Sequence, residues 1–198
     1  MKILVFGNGN AGINVIQGIC FGCTKTDIWI TYVYKYGYAS NIAGIRMIQF
    51  VDDEMNELEI ASGENADLII SAGWHRKFPV ELTSTQDCFN IHPSLLPKYR
   101  GILPMEFQLF NKERNGGVTI HKMNERFDAG PIYLQKSFNI EGISNVSELV
   151  VLVSRITRKM IVEFINDFDL INAVPQDEAE ATYYSKRDMY LLEGNELS

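Results

Sequence analysis

The segment Phe89-Asn90-Ile91-His92-Pro93-Ser94-Leu95-Leu96-Pro97 carries the residue types best suited to chemistry. Asn90 and His92 stand two apart in a β-rich run, so both side chains leave one face of a strand, and the prolines beyond them end it at the sheet's carboxyl edge. Ligands bind at that edge in open α/β sheets. An amide and an imidazole aimed at one point form an acyl-transfer pair: the amide donates to a developing oxyanion, and the imidazole handles a proton. Taken alone, the pair also fits a satisfied structural histidine. A second cluster, Gly7-Asn8-Gly9-Asn10-Ala11-Gly12, follows a strand and opens a helix with Gly-x-Gly-x-x-Gly spacing. It suits a phosphate at a helix N-terminus or a tight structural turn. Thr31-Tyr32-Val33-Tyr34 offers no acidic residue to take a ribose, which weighs against a dinucleotide. Cys20-Phe21-Gly22-Cys23 has metal-like spacing, but no second Cys or His pair completes a zinc site. A buried-helix role is expected there, and no metal.

The elements that must position these groups alternate. Lys2 to Phe6 reads as a strand, with helical spacing from Ile13 to Cys20 behind it. Ile28 to Tyr34, Leu68 to Ser71 and Cys88 to Ile91 read as further strands, Pro104 to Lys112 as a helix, and Val118 to Lys122 and Pro131 to Phe138 as strands. Apolar residues at three- and four-residue steps from Val146 to Phe168 mark the clearest helix, with Asn145 and Glu148 at capping-box spacing. The pattern predicts an α/β, Rossmann-like fold: a mostly parallel sheet with helices on both faces. Tyr32, Tyr34, Tyr36 and Tyr38 alternate along one face, suited first to sheet packing and second to stacking on a ligand.

The chain has 198 residues, with 46% hydrophobic and 22% charged, which fits one globular domain. We expect a single domain over residues 1–198, with 176–198 as a short, polar C-terminal tail. Eighteen basic residues stand against 25 acidic ones, net −7, which disfavours nucleic acid as a partner. No apolar run approaches a membrane span and the N-terminus reads as a strand, so a cytoplasmic protein without membrane attachment is expected. A homodimer is the default expectation.

A second segment, Gly117-Val118-Thr119-Ile120-His121-Lys122-Met123-Asn124-Glu125-Arg126-Phe127-Asp128-Ala129-Gly130-Pro131-Ile132, decides how the first is read. Together the two stretches resemble the folate-dependent formyltransferase family, with its Asn-x-His-x-Ser-Leu-Leu-Pro and Asp-x-Gly-Pro motifs in the family's order and spacing. The resemblance is strong over residues 66–138 and weaker in the N-terminal βα unit, and Ala181 to Arg187 echoes it in the tail. It implies the formyltransferase fold and transfer of a formyl group from the cosubstrate 10-formyltetrahydrofolate to an amine. It implies Asn90, His92 and Asp128 as the catalytic three. Asn90 would hold the oxyanion and His92 would stabilise charge and move a proton; Asp128 would favour the charged imidazole, orient it, or hold a water. The resemblance also places the pterin against His75, Arg76, Lys77 and Phe78, with Glu125, Arg126, Phe127 and Asp128 as a second wall. Asn90 and Ser94, Leu95, Leu96 and Pro97 complete the pocket, the last four as its floor. His75 and His121 are expected to lie outside the chemistry, because neither shares the Asn90 face by spacing.

Length and acidity argue against the tRNA branch of the family, and length against the deformylases. Lys98-Tyr99-Arg100-Gly101 and Thr182-Tyr183-Tyr184 resemble the sugar N-formyltransferases and the tRNA enzymes; with the tRNA branch set aside, the expected acceptor is a nucleotide-linked amino sugar, with Lys98 or Arg100 as candidates for its phosphates. Glycinamide ribonucleotide is the alternative acceptor, a modified amino acid or peptide another, and a non-catalytic folate- or nucleotide-binding module a further reading.

Overall fold

The computed structural model describes residues 1–25, 27–35, 44–51 and 54–193. In chain order the elements are β1 (Lys2–Gly7), α1 (Gly9–Gly22), β2 (Trp29–Tyr34), β3 (Arg46–Gln49), α2 (Glu57–Glu64), β4 (Leu68–Ala72), α3 (Val80–Thr85) and β5 (Cys88–His92). They continue with β6 (Arg100–Gly101), α4 (Pro104–Phe110), β7 (Asn115–Lys122), β8 (Ile132–Asn139), α5 (Val146–Asn166), β9 (Tyr183–Tyr184) and α6 (Tyr190–Glu193). Seven strands form one sheet in the order β3-β2-β1-β4-β5-β7-β8, and β6 pairs with β9 in a separate ribbon. Strands β1 to β5 are mutually parallel, while β7 runs antiparallel to β5 and β8 antiparallel to β7. The α/β architecture expected from the sequence is the one observed. After β3 the chain returns to place β4 on the other side of β1, which makes the carboxyl edge between β1 and β4 a topological switch point.

Alternation along the strands builds two cores. Ile3, Val5, Leu68, Ile70, Phe89 and Ile91 pack with Val15, Ile16 and Ile19 of α1 and Met160, Ile161, Phe164 and Ile165 of α5. Leu4, Phe6, Ile69 and Cys88 point the other way, onto Ile60, Ala61, Trp74, Phe78 and Leu82. Asn90 and His92 have the parity of Cys88, so they emerge on this second side, at the carboxyl end of β5.

Helix α5 begins as expected: the Asn145 side chain accepts from the Glu148 N–H at 3.0 Å, although Glu148 answers to the Asn145 side-chain amide, 2.8 Å, instead of its backbone. Phe168 falls beyond the helix, in a 3-10 turn over Phe168–Leu170. The Cys20 to Cys23 stretch is not the buried helix expected of it. The buried stripe of α1 steps through Gly12, Val15, Ile16 and Ile19, so Cys20 lies off it and is exposed, and Cys23 is half-buried just past the helix. Of the tyrosine ladder, Tyr32 is buried and Tyr34 half-buried, their rings stacked with centroids 5.8 Å apart; Tyr36 and Tyr38 lie outside the described residues. Tyr32 also accounts for part of the glycine cluster. Its hydroxyl donates to the Gly7 carbonyl at 3.1 Å, and a Cβ on Gly12 would stand 2.5 Å from that oxygen. No helix among the described residues is long and apolar enough to cross a membrane.

Candidate active site

Three strand ends and two loops bring the polar groups together. Antiparallel pairing sets Asn90 directly opposite His121, and directly opposed residues share a face. His121, expected from spacing to lie off the Asn90 face, is therefore on it. Its Nε2 lies 3.3 Å from Asn90 Nδ2, while Nδ1 faces the Lys122 carbonyl at 3.0 Å. The expectation failed because spacing within one strand says nothing of the register between two.

Both histidines and the amide converge on Asp128, in the loop after β7. Its Oδ1 accepts from Asn90 Nδ2 at 3.0 Å and lies 3.4 Å from His121 Nε2 and 3.6 Å from His92 Nδ1. Its Oδ2 accepts from the Gly101 backbone N–H at 2.9 Å. Burial by itself pushes the Asp128 carboxyl upward. The positive character of His92 and His121, a hydrogen bond from His121 and the Gly101 N–H outweigh it and hold the group well below the usual carboxylate range. His92 is 4% exposed, and its Nε2 stands 2.7 Å from the Tyr99 carbonyl oxygen. One ring nitrogen thus faces a carbonyl and the other a carboxylate, so only the doubly protonated ring can donate to both.

A narrow crevice opens beside this cluster, lined by Lys77, Phe78, Met123, Asn124, Arg126 and Phe127 together with Asn90, His121 and Asp128. The apolar walls of Phe78, Met123 and Phe127 suit the edge of a flat heteroaromatic ring. Phe127 is exposed at the mouth, with the Lys77 ammonium 6.0 Å from its ring centroid.

The other expected pocket residues are placed elsewhere. His75 is exposed, and Arg76 turns back to Glu57, the buried first residue of α2, which accepts from Arg76 Nε at 2.9 Å and from the Trp74 indole at 3.0 Å. Glu125 is exposed outside the crevice. Ser94 to Pro97 fold behind β5 and β7: Thr119 donates to the Ser94 carbonyl at 2.7 Å, and Gln135 to the Leu96 carbonyl at 2.8 Å. Leu96 and Ser94 are buried there, and Leu95 and Pro97 half-buried, so these four support the strand end and do not line the opening. Arg100 cannot serve an acceptor phosphate as drawn from the sequence. It is 3% exposed, and its guanidinium is held by Gln176 and Glu178. Sequence reasoning missed Met123, Asn124, Gln176 and the Gly101 N–H, and it set aside His121, whose place opposite Asn90 comes from a register between β5 and β7 that neither strand signals alone.

The formyl transferase family profile matches residues 46–165. A methionyl-tRNA formyltransferase of Ehrlichia ruminantium (strain Welgevonden) is 37% identical over 136 residues, which is 68% of this chain and 45% of the relative. The chain thus spans about half the length of the curated relatives it matches. Among solved structures, a sugar N-formyltransferase from Shewanella sp FDAARGOS_354 superposes with a TM-score of 0.76 at 24% identity, over 96% of this chain and 78% of that one. Glycinamide ribonucleotide transformylase 1 from Symbiobacterium toebii gives 0.75 at 21%, over 88% and 94%. An N-formyltransferase from Helicobacter canadensis, solved with folinic acid and dTDP-3-aminofucose, gives 0.69 at 20%, over 95% and 72%. At these identities the structural likeness is one of fold. The profile match covers more than half of the residues, and the chain belongs to the formyl transferase family.

Proposed function

We propose that this protein is a folate-dependent N-formyltransferase that transfers the formyl group of 10-formyltetrahydrofolate to a primary amine. The observation that carries the reading is the convergence of Asn90, His92 and Asp128 at one oxygen beside an apolar crevice. Phe78, Met123 and Phe127 would sandwich the pterin, with Asn124, Arg126 and Lys77 at the polar rim. The amine attacks the formyl carbon and gives a tetrahedral intermediate whose oxygen carries negative charge. Asn90 Nδ2 supplies a hydrogen-bond donor for that oxygen, and His92, held between the Tyr99 carbonyl and the Asp128 carboxylate, stabilises the charge beside it and moves the proton. Asp128 faces the His92 ring with a carboxylate that stays ionised and orients it. Collapse returns the electron pair to the carbonyl and expels the folate nitrogen, which takes up a proton, while the attacking nitrogen gives one up.

For the acceptor we favour a nucleotide-linked amino sugar. The sugar N-formyltransferase fold covers 96% of this chain. The two segments by which the sequence resembles that branch and the tRNA enzymes, 98–101 and 182–184, also pair with each other as β6 and β9. Two other acceptors have specific support: the initiator tRNA, from the sequence relatives, and glycinamide ribonucleotide, from a neighbour of nearly equal TM-score. The test is tetrahydrofolate release, followed by absorbance, with 10-formyltetrahydrofolate and a panel of UDP- and dTDP-linked 3- and 4-amino sugars, glycinamide ribonucleotide and methionyl-tRNA. Turnover with a sugar nucleotide supports the reading; turnover with the ribonucleotide or the tRNA alone replaces the acceptor. Folate binding without transfer to any of them leaves a binding module.

A further inference from the structure

We propose that Gln176 is a positioning residue for Asp128, and that residues 176–184 form a strap whose backbone pairing aims the 99–101 segment at both His92 and Asp128. The inference rests on the assignment of these two residues to formyl transfer and adds to it the groups that hold them in place.

The strap reaches the site by two routes. In the first, the Gln176 side-chain amide donates to the Asp128 carbonyl at 2.9 Å and to the Gly130 carbonyl at 2.7 Å, gripping the loop on both sides of Ala129. Asp128 holds a φ of 52°, a left-handed conformation that non-glycine residues adopt only when their surroundings enforce it. The oxygen of the same amide accepts from Arg100 Nε at 3.0 Å and Nη2 at 2.8 Å. Glu178 completes a two-pronged grip on Arg100, at 2.8 and 3.1 Å, and accepts from Arg126 at the crevice.

The second route runs through the backbone. The Arg100 N–H donates to the Thr182 carbonyl at 2.9 Å and the Ile102 N–H to the Tyr184 carbonyl at 3.1 Å. The Tyr99 N–H also turns to the strap, donating to Thr182 Oγ1 at 2.7 Å. The Tyr99 carbonyl and the Gly101 N–H turn the other way, to His92 Nε2 and the Asp128 carboxylate. Gly101, at φ 93°, has no room for a Cβ, which would run into the Tyr184 carbonyl. Below the ribbon, the Tyr184 ring stacks on Phe107 with centroids 3.9 Å apart. A covering segment without a positioning role would need none of these contacts to the Asp128 loop and to the backbone that meets His92 and Asp128.

The experiment compares full-length wild type with Gln176→Ala, Gln176→Leu and Glu178→Ala, using Glu180→Ala at a solvent-facing position as the control. We expect kcat to fall roughly ten- to hundredfold in the Gln176 variants and less in Glu178→Ala, with the KM for 10-formyltetrahydrofolate changed by under about threefold. The control stays at wild-type rate. Carbon-13 NMR titration of the Asp128 carboxyl, which needs no turnover, should show it moving toward the ordinary carboxylate range in the Gln176 variants. A lowered melting temperature with kcat and the Asp128 titration both unchanged overturns the proposal, because that is what a purely structural tail would give. If the wild type turns over no acceptor, the activity assignment fails, and the Asp128 titration still decides whether the strap positions the carboxylate. If the Gln176 variants do not fold, Glu178→Ala carries both readouts, and wild-type values there overturn the proposal.

Discussion

Replacing Asp128 by asparagine changes one charge and almost no volume at the point where the site converges. The wild-type carboxylate accepts on both oxygens, from Asn90 on one side and Gly101 on the other, and faces the two imidazoles within 3.6 Å. An asparagine can present an oxygen to only one side. With the oxygen on Gly101, its amide meets the Asn90 amide and the histidines, donor against donor; reversed, it meets the Gly101 N–H. Asp128 is 8% exposed, so water cannot make good the loss. Removing one partner of a buried charge pair costs about 3–5 kcal/mol. If that interaction is felt fully in the transition state, at ~1.4 kcal/mol per decade the rate falls by roughly 10²- to 10⁴-fold. Single-turnover release of tetrahydrofolate measures it directly, without product release. A folded Asp128→Asn protein working within about threefold of wild type would refute the role of the carboxylate in holding the imidazolium.

Further outcomes follow from the same geometry. His92→Ala should lower formyl transfer by several orders of magnitude with the far-UV circular dichroism unchanged, since the ring fills a strand end and not a core; near-normal turnover would remove it from the chemistry. Gly101→Ala forces a side chain into the Tyr184 carbonyl at positive φ, and we expect about 1–3 kcal/mol of lost stability in urea titrations, with kcat falling alongside. Glu57→Ala leaves the Trp74 indole without its acceptor. A loss of about 1–3 kcal/mol and a raised KM for folate are expected, because Trp74 and Arg76 fix the loop that carries Lys77 and Phe78. For pH, the sign follows from carboxyls that titrate low in the folded state: Asp128, and Glu178, which Arg100 and Arg126 pull down to about 2. Their stabilisation is complete above the ordinary carboxylate range, about pH 4, and is lost as the pH falls through the folded-state values. Thermal melts between pH 6 and 2 should therefore show a steeper acid loss for wild type than for Asp128→Asn.

What the sequence made legible was local. Strand parity placed Asn90 and His92 on one face, and three- and four-residue steps located α5, because each signal depends only on neighbours in the chain. The short elements β3, α2 and α3 left little signal: α2 and α3 span 8 and 6 residues, too few turns to establish a period. The antiparallel register that brings His121 opposite Asn90 is a property of two strands, and neither alone encodes it. Arg100 misled for a related reason. A basic residue in an acidic chain suggests an anionic ligand, yet its partners, Gln176 and Glu178, lie 76 and 78 residues away and become neighbours only once the tail has crossed the sheet edge. Of the residues expected to form the folate wall, Lys77, Phe78, Arg126 and Phe127 line the crevice, where side chains follow from loop position. Arg76 and Ser94 to Pro97 instead turn back on their own scaffold.

The left-handed backbone at Asp128 has a bearing on how this protein can be improved. A residue with a Cβ is strained there by about 1 kcal/mol or more, and glycine is not. Asp128→Gly would relieve that strain, but it would discard a buried carboxylate whose pairing is worth about 3–5 kcal/mol. Stability and turnover therefore pull on this one position in the same direction, so even a screen that scores only survival on heating would keep the carboxylate.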